Sequence, residues 1–280
     1  MNIFELINIG SELLKDKKIP SHVLDSELLL SKTLKKSREE ILINNDQNIN
    51  ENNVFKFKRY VKRRSNNEPI AYILGEKEFW SKKFKVNRYT LIPRPETELL
   101  VSKMIDKFKD KKSFILDIGT GSGCIIISLL SNLKQSHGIG VEISKQATIA
   151  AKINRDKFGL QGRLKILNKS FKNIFFYKFD LIISNPPYIK RKDIKNLSDD
   201  IKRFEPRIAL DGGNDGLDLI RKVIYKAKYI LKIKGLLALE IGNEQLKEVS
   251  KILKRNNLRV EHIVNDYKDN VRSIISKLIL

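Results

Sequence analysis

The stretch Phe179-Asp180-Leu181-Ile182-Ile183-Ser184 stops abruptly at Asn185-Pro186-Pro187-Tyr188. A short run rich in Ile and Leu, broken by a single acid, reads as a strand buried on both faces, as the strands of parallel sheets are. Two consecutive prolines forbid any continuation of the ladder, so Asn185 and Tyr188 must lie where a strand ends. In open α/β sheets, ligands bind in the crevice beyond the carboxyl ends of the strands. This one feature predicts an α/β fold and puts a candidate site beyond the carboxyl ends of its strands.

Such a corner is rich in acceptors. Proline has no N–H, so the carbonyls of Ser184, Asn185 and Pro186 lie on a stiff turn with few donors to compete for them. The Asn185 side chain adds another carbonyl oxygen, and Tyr188 adds a ring face. A planar NH2 group, on an amide or a nucleobase, could donate one hydrogen to the Asn185 side-chain oxygen and the other to a main-chain carbonyl, with its plane stacked on Tyr188. Accepting both hydrogens favours the nitrogen geometry whose lone pair is free to attack. The chemistry indicated is transfer of a carbon group to an unreactive planar nitrogen. The plain alternative is that Pro186-Pro187 only ends a strand and Asn185-Pro186 only starts a turn.

A second anchor precedes this corner. Residues 113–118 read as a strand that runs into glycines at 119, 121 and 123, and Ile125, Ile126, Ile127, Leu129 and Leu130 continue as a largely buried helix. Glycines let the backbone turn tightly and approach a ligand where a side chain would collide. About twenty residues further on, the next strand ends with Glu142, whose carboxylate can accept hydrogen bonds from both hydroxyls of a ribose. Together these features indicate a nucleoside-containing cofactor. A dinucleotide fingerprint would need small residues at 119, 121 and 124, but position 124 is Cys and the third glycine falls one residue early. The spacing fits better the glycine loop of enzymes that use S-adenosyl-L-methionine, with a nicotinamide cofactor as the alternative. Cys124 reads as a small buried apolar residue rather than a nucleophile.

Bulk properties narrow the class. The 280 residues suffice for one large domain and a smaller one, and 41% hydrophobic with 31% charged residues describes a globular protein. No apolar run approaches a membrane span, and the start of the chain, with Glu5 and Glu12 among its apolar residues, lacks the features of a signal peptide; the expected location is cytoplasmic, with no membrane partner. Cys124 is the only cysteine, and His22, His137 and His262 are far apart in sequence, so neither a disulfide nor a metal is expected. A net charge of +22 would steer the chain towards nucleic acid or the ribosome. Its lysines are scattered and travel with abundant Ile and Asn, a set favoured by A/T-rich codons, so the charge reads as solvated faces and no stable nucleic-acid binding is expected.

The remaining elements follow from periodicity and capping. Residues 1–76 read as helices: Leu6, Leu13 and Leu14 mark the first, Ser21 caps a second with Leu24, Leu28 and Leu29 on one side, and Ser37 with Glu40 has the capping-box spacing. Val54, Phe57 and Val61 face inward on a longer helix that ends at Lys62-Arg63-Arg64, and Pro69 opens a short helix that stops at Gly75. The simplest role for this module is substrate recognition, with a structural cap as the alternative. Residues 77–92, with Phe79, Phe84 and Val86, fit a linking hairpin, and Thr97 starts a helix carrying Leu99, Leu100 and Met104. Beyond Glu142, Ser144 caps a helix closed by Gly159, and residues 164–167 form a strand with Ser170 and Phe171 just past its end, where an aromatic ring could pack on an adenine or serve as a plain core residue. Residues 189–216 read as a long functional loop. A helix 217–231, a strand 235–241, a helix 245–254 and strands near Val260 and Ile274 complete the alternation.

The ordered set Pro93-Arg94-Pro95-Glu96-Thr97-Glu98, Leu116-Asp117-Ile118-Gly119-Thr120-Gly121-Ser122-Gly123, Asn185-Pro186-Pro187-Tyr188-Ile189, Phe204-Glu205-Pro206-Arg207-Ile208-Ala209-Leu210, Asp215-Gly216-Leu217 and Leu239-Glu240-Ile241-Gly242 resembles the PrmC (HemK) family of release factor glutamine methyltransferases. The resemblance covers residues 79–280. It implies a Rossmann-like class I S-adenosylmethionine-dependent methyltransferase domain over 93–280, behind a small N-terminal helical domain. The implied reaction is methyl transfer to the side-chain amide nitrogen, N5, of the glutamine in the Gly-Gly-Gln tripeptide of peptide chain release factors. Carried over residue by residue, Gly119, Thr120, Gly121, Ser122, Gly123, Glu142, Phe171 and Asn185 would hold the cofactor, while Asn185, Pro186, Pro187 and Tyr188 would hold the glutamine, with Asn185 as the catalytic residue. The chain departs from the family pattern at Ser170, where Asp is usual, at Phe171, where Trp is frequent, and at Lys268, where Gly is frequent. A nucleic-acid amino-group methyltransferase, which would keep the same acceptor corner and exploit the basic surface, and a non-catalytic ribosome-associated binding protein are the alternative functions.

Overall fold

The computed structural model describes residues 1–175, 178–266 and 268–279. They divide into two compact units, Met1–Glu76 with Ser198–Phe204, and Lys77–Leu197 with Glu205–Leu280.

The first unit is helical, with helices Ile3–Asp16, His22–Leu34, Arg38–Ile43, Glu51–Ser65 and Ile70–Leu74. Leu6, Leu14, Leu29, Leu30, Phe57 and Val61 form its interior. Ser37 and Glu40 close the capping box that their spacing predicts, and Arg64 ion-pairs with the buried Asp25 at 2.6 Å. Two details differ from the periodicity. Leu13 and Leu24 are exposed, because the inward stripe of the first helix runs through Ile3, Leu6, Ile7, Gly10 and Leu14 and that of the second through Ser26, Leu29, Leu30 and Thr33. Ser21 makes no side-chain cap.

The second unit opens with a hairpin of β1 (Glu76–Phe79) and β2 (Lys82–Lys85). Phe79 and Phe84 belong to the same apolar cluster as Leu100, Met104 and Ile126. The segment expected as a linker is therefore part of this unit's core. Helix Pro95–Phe108 begins two residues before Thr97, with proline in its first turn, where the missing N–H costs nothing.

Seven strands form the main sheet: β3 (Phe114–Ile118), β4 (His137–Glu142), β5 (Leu164–Asn168), β6 (Phe179–Ser184), β7 (Leu231–Glu240), β8 (Leu258–Asn265) and β9 (Val271–Leu278). Their order is β5-β4-β3-β6-β7-β9-β8. Neighbours from β5 to β7 pair in parallel, whereas β9 runs antiparallel to both β7 and β8. The chain builds outward from β3 through β5, then returns to build on the other side from β6, so the topological switch lies between β3 and β6. Side chains alternate across the sheet. Ile115, Leu181 and Ile183 pack with helices Pro95–Phe108 and Cys124–Asn132, and Leu116 and Ile182 pack with helices Asp218–Ile230 and Leu246–Arg255. β6 is thus buried on both faces, as its composition requires.

Two stretches are more ordered than the sequence indicates. Residues 189–216 hold short helical turns at Arg191–Asn196, Asp199–Phe204 and Arg207–Ala209. In the turn before β9, Asp266 Oδ1 accepts from the amides of Lys268 at 2.8 Å and Asn270 at 3.0 Å, and Asp269 takes the left-handed backbone with φ 58°. Lys268 therefore stands where no glycine is needed; Tyr267 lies outside the described residues. Among the described residues no helix is long and apolar enough to cross a membrane.

One buried side chain ties the hairpin to the glycine turn. The Asn154 carbonyl accepts from Lys85 N at 2.7 Å, and its amide donates to Lys85 O at 3.0 Å and Ser122 O at 2.8 Å. Asn154→Ala strands these groups inside the protein and is expected to cost about 1–3 kcal/mol. The urea midpoint measures this; an unshifted midpoint would show that Asn154 does not hold the hairpin to the turn.

Candidate active site

One cavity lies beyond the carboxyl ends of β3, β4 and β6. Gly119, Thr120, Gly121 and Ser122 form one wall, Glu142 and Ile143 a second, and Asn185, Pro186 and Pro187 a third. Gly119 and Thr120 both donate their amides to Val141 O, at 3.0 and 3.1 Å, which binds the turn to the end of β4. Gly119 and Gly121 have φ of 73° and 56°, and a Cβ on Gly119 would meet no heavy atom within 4 Å. The turn therefore leaves open space where a side chain would stand, as a cradle for a ligand needs.

Glu142 closes that cradle. Its Oε2 accepts from Gly121 N at 3.0 Å and its Oε1 from Ser144 N at 2.9 Å. A carboxylate oxygen has two lone-pair directions, so each keeps capacity for a ribose hydroxyl. The open glycine turn and this acceptor pair fit an adenosyl cofactor. Beneath the turn, Asp117 Oδ2 accepts from Thr120 Oγ1 at 2.6 Å, while its Oδ1 has no partner among the described residues. Burial raises the Asp117 carboxyl to about 7. Burial likewise pushes the Cys124 thiol up to about 12, which keeps it protonated at neutral pH and suits an apolar role better than a nucleophilic one.

The acceptor corner is held from behind. Ser184 Oγ donates to Ile118 O at 2.7 Å, clamping the ends of β6 and β3 together. Asn185 Nδ2 stands 3.4 Å from Thr97 Oγ1. Thr97 Oγ1 donates in turn to Glu240 Oε2 at 2.6 Å, and the Tyr188 hydroxyl donates to Glu240 Oε1 at 3.2 Å. Glu240 is only 2% exposed. Burial raises its pKa, against the pull of hydrogen bonds from Thr97 and Tyr188 and the charge of Arg272. Tyr188 is raised as well, first by burial and then by the Glu240 charge. Gln245 Nε2 donates to Tyr188 O at 3.0 Å. On the remaining wall the buried Glu205 accepts from Ile92 N at 3.2 Å and Arg94 Nη2 at 2.6 Å, which holds Pro93 and Arg94 beside Pro206 and Ile208.

The structure brings Gly119 to Ser122, Glu142, Asn185, Pro186 and Pro187 into one cavity. It does not bring the other expected residues there. Gly123 is the N-cap of helix Cys124–Asn132. Phe171 is buried in the apolar cluster with Ile139, Ile182 and Leu217, since removing a phenyl ring from water stabilises a fold by about 1.5–3 kcal/mol. Tyr188 lines a neighbouring groove with Asp193 and Gln245, and its hydroxyl is engaged by Glu240. Sequence reading missed Glu240 and Glu205 and took Thr97 for a helix start only. Glu240 had a usable signal: like Glu142, it is an acid that closes an apolar strand. Among the described residues no group of three His, Cys, Asp or Glu could hold a metal ion.

Methyltransferases that use S-adenosyl-L-methionine are the class defined by this strand order and by this cavity at the switch point. Solved structures agree on the fold: a methyltransferase from Pyrococcus furiosus matches with a TM-score of 0.56 at 17% identity, over 80% of this chain and 99% of that one. Residues 5–75 match the family model of the PrmC N-terminal domain and residues 95–203 that of the Methyltransferase small domain. The release factor glutamine methyltransferase of Buchnera aphidicola subsp. Acyrthosiphon pisum is 38% identical over 275 residues, 97% of this chain and 99% of that protein. A bifunctional methyltransferase of Rickettsia felis is 34% identical over 98% of this chain, which spans 58% of that longer protein. The chain belongs to the family of release factor glutamine methyltransferases.

Two measurements test the cofactor half of the site. Glu142→Ala is expected to weaken cofactor binding about 10- to 100-fold in calorimetry, the effect of losing hydrogen bonds to a charged group; unchanged affinity would assign Glu142 to loop structure alone. Asp117 binds its proton more tightly folded than unfolded, because its folded value of about 7 lies above the ordinary 3.8. Its contribution is full below the unfolded value and is lost as pH rises through about 7, so thermal stability should fall across that window. Asp117→Asn should flatten the decline, and an identical slope in the variant would contradict the assignment.

Proposed function

We propose that this chain methylates the side-chain amide nitrogen, N5, of the glutamine in the Gly-Gly-Gln tripeptide of peptide chain release factors, using S-adenosyl-L-methionine. The observation that carries this reading is the register of β3 and β6. Asp117 pairs with Ile183, so Gly119 and Asn185 each stand two residues past the same rung, on facing walls of one cavity. Membership of a family whose relatives are named for release factor glutamine methylation supports the substrate.

When bound, S-adenosyl-L-methionine supplies an electrophilic methyl group on a sulfonium. The work of this chain is to hold and orient. Glu142 and the glycine turn hold the nucleoside end of the donor. The Asn185 side-chain oxygen and the Pro186 carbonyl accept the two hydrogens of the substrate amide, which draws its nitrogen away from planarity and turns the lone pair towards the cavity. Leu91, Pro93 and Ile208 on the wall keep water from competing for those acceptors. Orientation and fixed dipoles, rather than a dedicated base, supply the acceleration. The N-terminal helical unit is assigned to recognition of the release factor, the location to the cytoplasm, and nucleic acid is neither substrate nor stable partner.

Asn185→Ala should lower turnover about 10²-fold or more, well beyond any loss of cofactor affinity; wild-type turnover in that variant refutes the role. Tritiated cofactor offered in parallel to a release factor, to RNA and to DNA identifies the acceptor. Label is expected in the release factor and absent when its tripeptide glutamine is replaced. Label in nucleic acid alone overturns the proposal in favour of an amino-group methyltransferase acting on bases.

A further inference from the structure

The oxygen and nitrogen of an asparagine amide have nearly the same shape, so surroundings decide which of them faces a ligand. At Asn185 the deciding neighbour is Thr97. Its hydroxyl carries one proton, and at 2.6 Å that proton belongs to Glu240 Oε2. The other oxygen of Glu240 accepts from the Tyr188 hydroxyl. Two hydroxyl donors converging on two oxygens is the arrangement an ionised carboxylate selects. Thr97 and Glu240 are each only 2% exposed, so solvent offers the threonine proton no better acceptor. With its proton engaged, Thr97 Oγ1 can only accept from Asn185, and the group 3.4 Å away is the Asn185 NH2. The amide carbonyl is then the end left for the cavity.

We propose that Glu240, acting through Thr97, fixes the orientation of the Asn185 amide, and that Thr97 and Glu240 are positioning residues that keep an oxygen turned towards the substrate nitrogen. Three remote segments meet in this relay: the first turn of helix Pro95–Phe108, the end of β7, and the corner after β6. The relay also reads the residue at 185. An aspartate there would set a second acceptor against the Thr97 lone pair, so this chain is built for the amide. The inference rests on the reading of Asn185 as acceptor for the substrate amide, since only then does its orientation matter to turnover.

The test is a double-mutant cycle on the full chain, with turnover on release factor and cofactor affinity as readouts. Thr97→Val keeps the shape of the side chain but removes the hydroxyl. It should lower kcat about 10- to 100-fold with KM for the cofactor little changed. Thr97→Ser keeps the hydroxyl and should restore most of the rate. In the Asn185→Ala background, Thr97→Val should have almost no further effect on kcat. If Thr97→Val retains wild-type kcat, or lowers kcat by the same factor in both backgrounds, the relay is a mere strut and the inference is overturned. Circular dichroism checks folding, and Thr97→Ala, a better helix former, takes over the same comparison should the valine variant not fold. Wild-type turnover in Asn185→Ala alone would instead sink the reading of Asn185, an outcome separate from the failure of the relay.

Discussion

Everything at the site hangs on the pairing of β3 with β6. The two strands are neighbours only because the chain reverses its direction of build between them, and a parallel pair at such a reversal leaves a crevice that no connecting helix covers. The register Ile115↔Leu181, Leu116↔Ile182, Asp117↔Ile183 sets the height at which each strand stops. A glycine turn follows one strand and a proline corner the other, and Ser184 Oγ on Ile118 O clamps them side by side. A slip of one residue would turn every side chain of β6 to the opposite face, so the apolar packing on both sides of the sheet also fixes the position of Asn185.

Buried polar side chains then shape the cavity walls. Asn154, Glu205, Glu240 and Gln245 each reach across long stretches of sequence to backbone or hydroxyl groups. Such groups are costly to desolvate singly but rigid when satisfied, and satisfied networks specify one arrangement of loops that apolar contacts alone would leave loose. A close backbone approach adds to this. Gly212 packs so tightly that a Cβ there would come within 2.8 Å of Pro187 O and of Gly216, which presses the 205–216 segment onto the corner. The loops at the site are therefore held from behind by polar contacts, while their faces towards the cavity stay open.

Burial also divides the titratable groups by function. At Asp117 and Cys124, beside the glycine turn, desolvation favours the neutral forms. Glu142 stands at the rim with both oxygens on amide donors. Glu240 lies under the corner, and its two hydroxyl donors offset part of the desolvation. Three acids at strand ends thus do three different things, set by depth and by donors rather than by residue type.

The strand that stops at Pro186-Pro187, the three-glycine turn, the acid after the next strand and the capping box at Ser37 were all legible in the chain. Each is a local rule: proline ends a ladder, glycine permits a turn, and spacing within one or two turns selects a cap. Where local rules gave two answers, the fold chose between them. Phe171 packs into the core, Tyr188 turned its hydroxyl to Glu240, the 77–92 hairpin joined the second unit's core, and Thr97 exchanged a capping role for a bond to an acid far along the chain. The sequence by itself determined which residues end strands and which permit turns, because those properties belong to single residues and their neighbours. Only the tertiary structure decided which way side chains face and which distant acids support them, because a hydrogen bond between Thr97 and Glu240 has no signature until the sheet brings the two together.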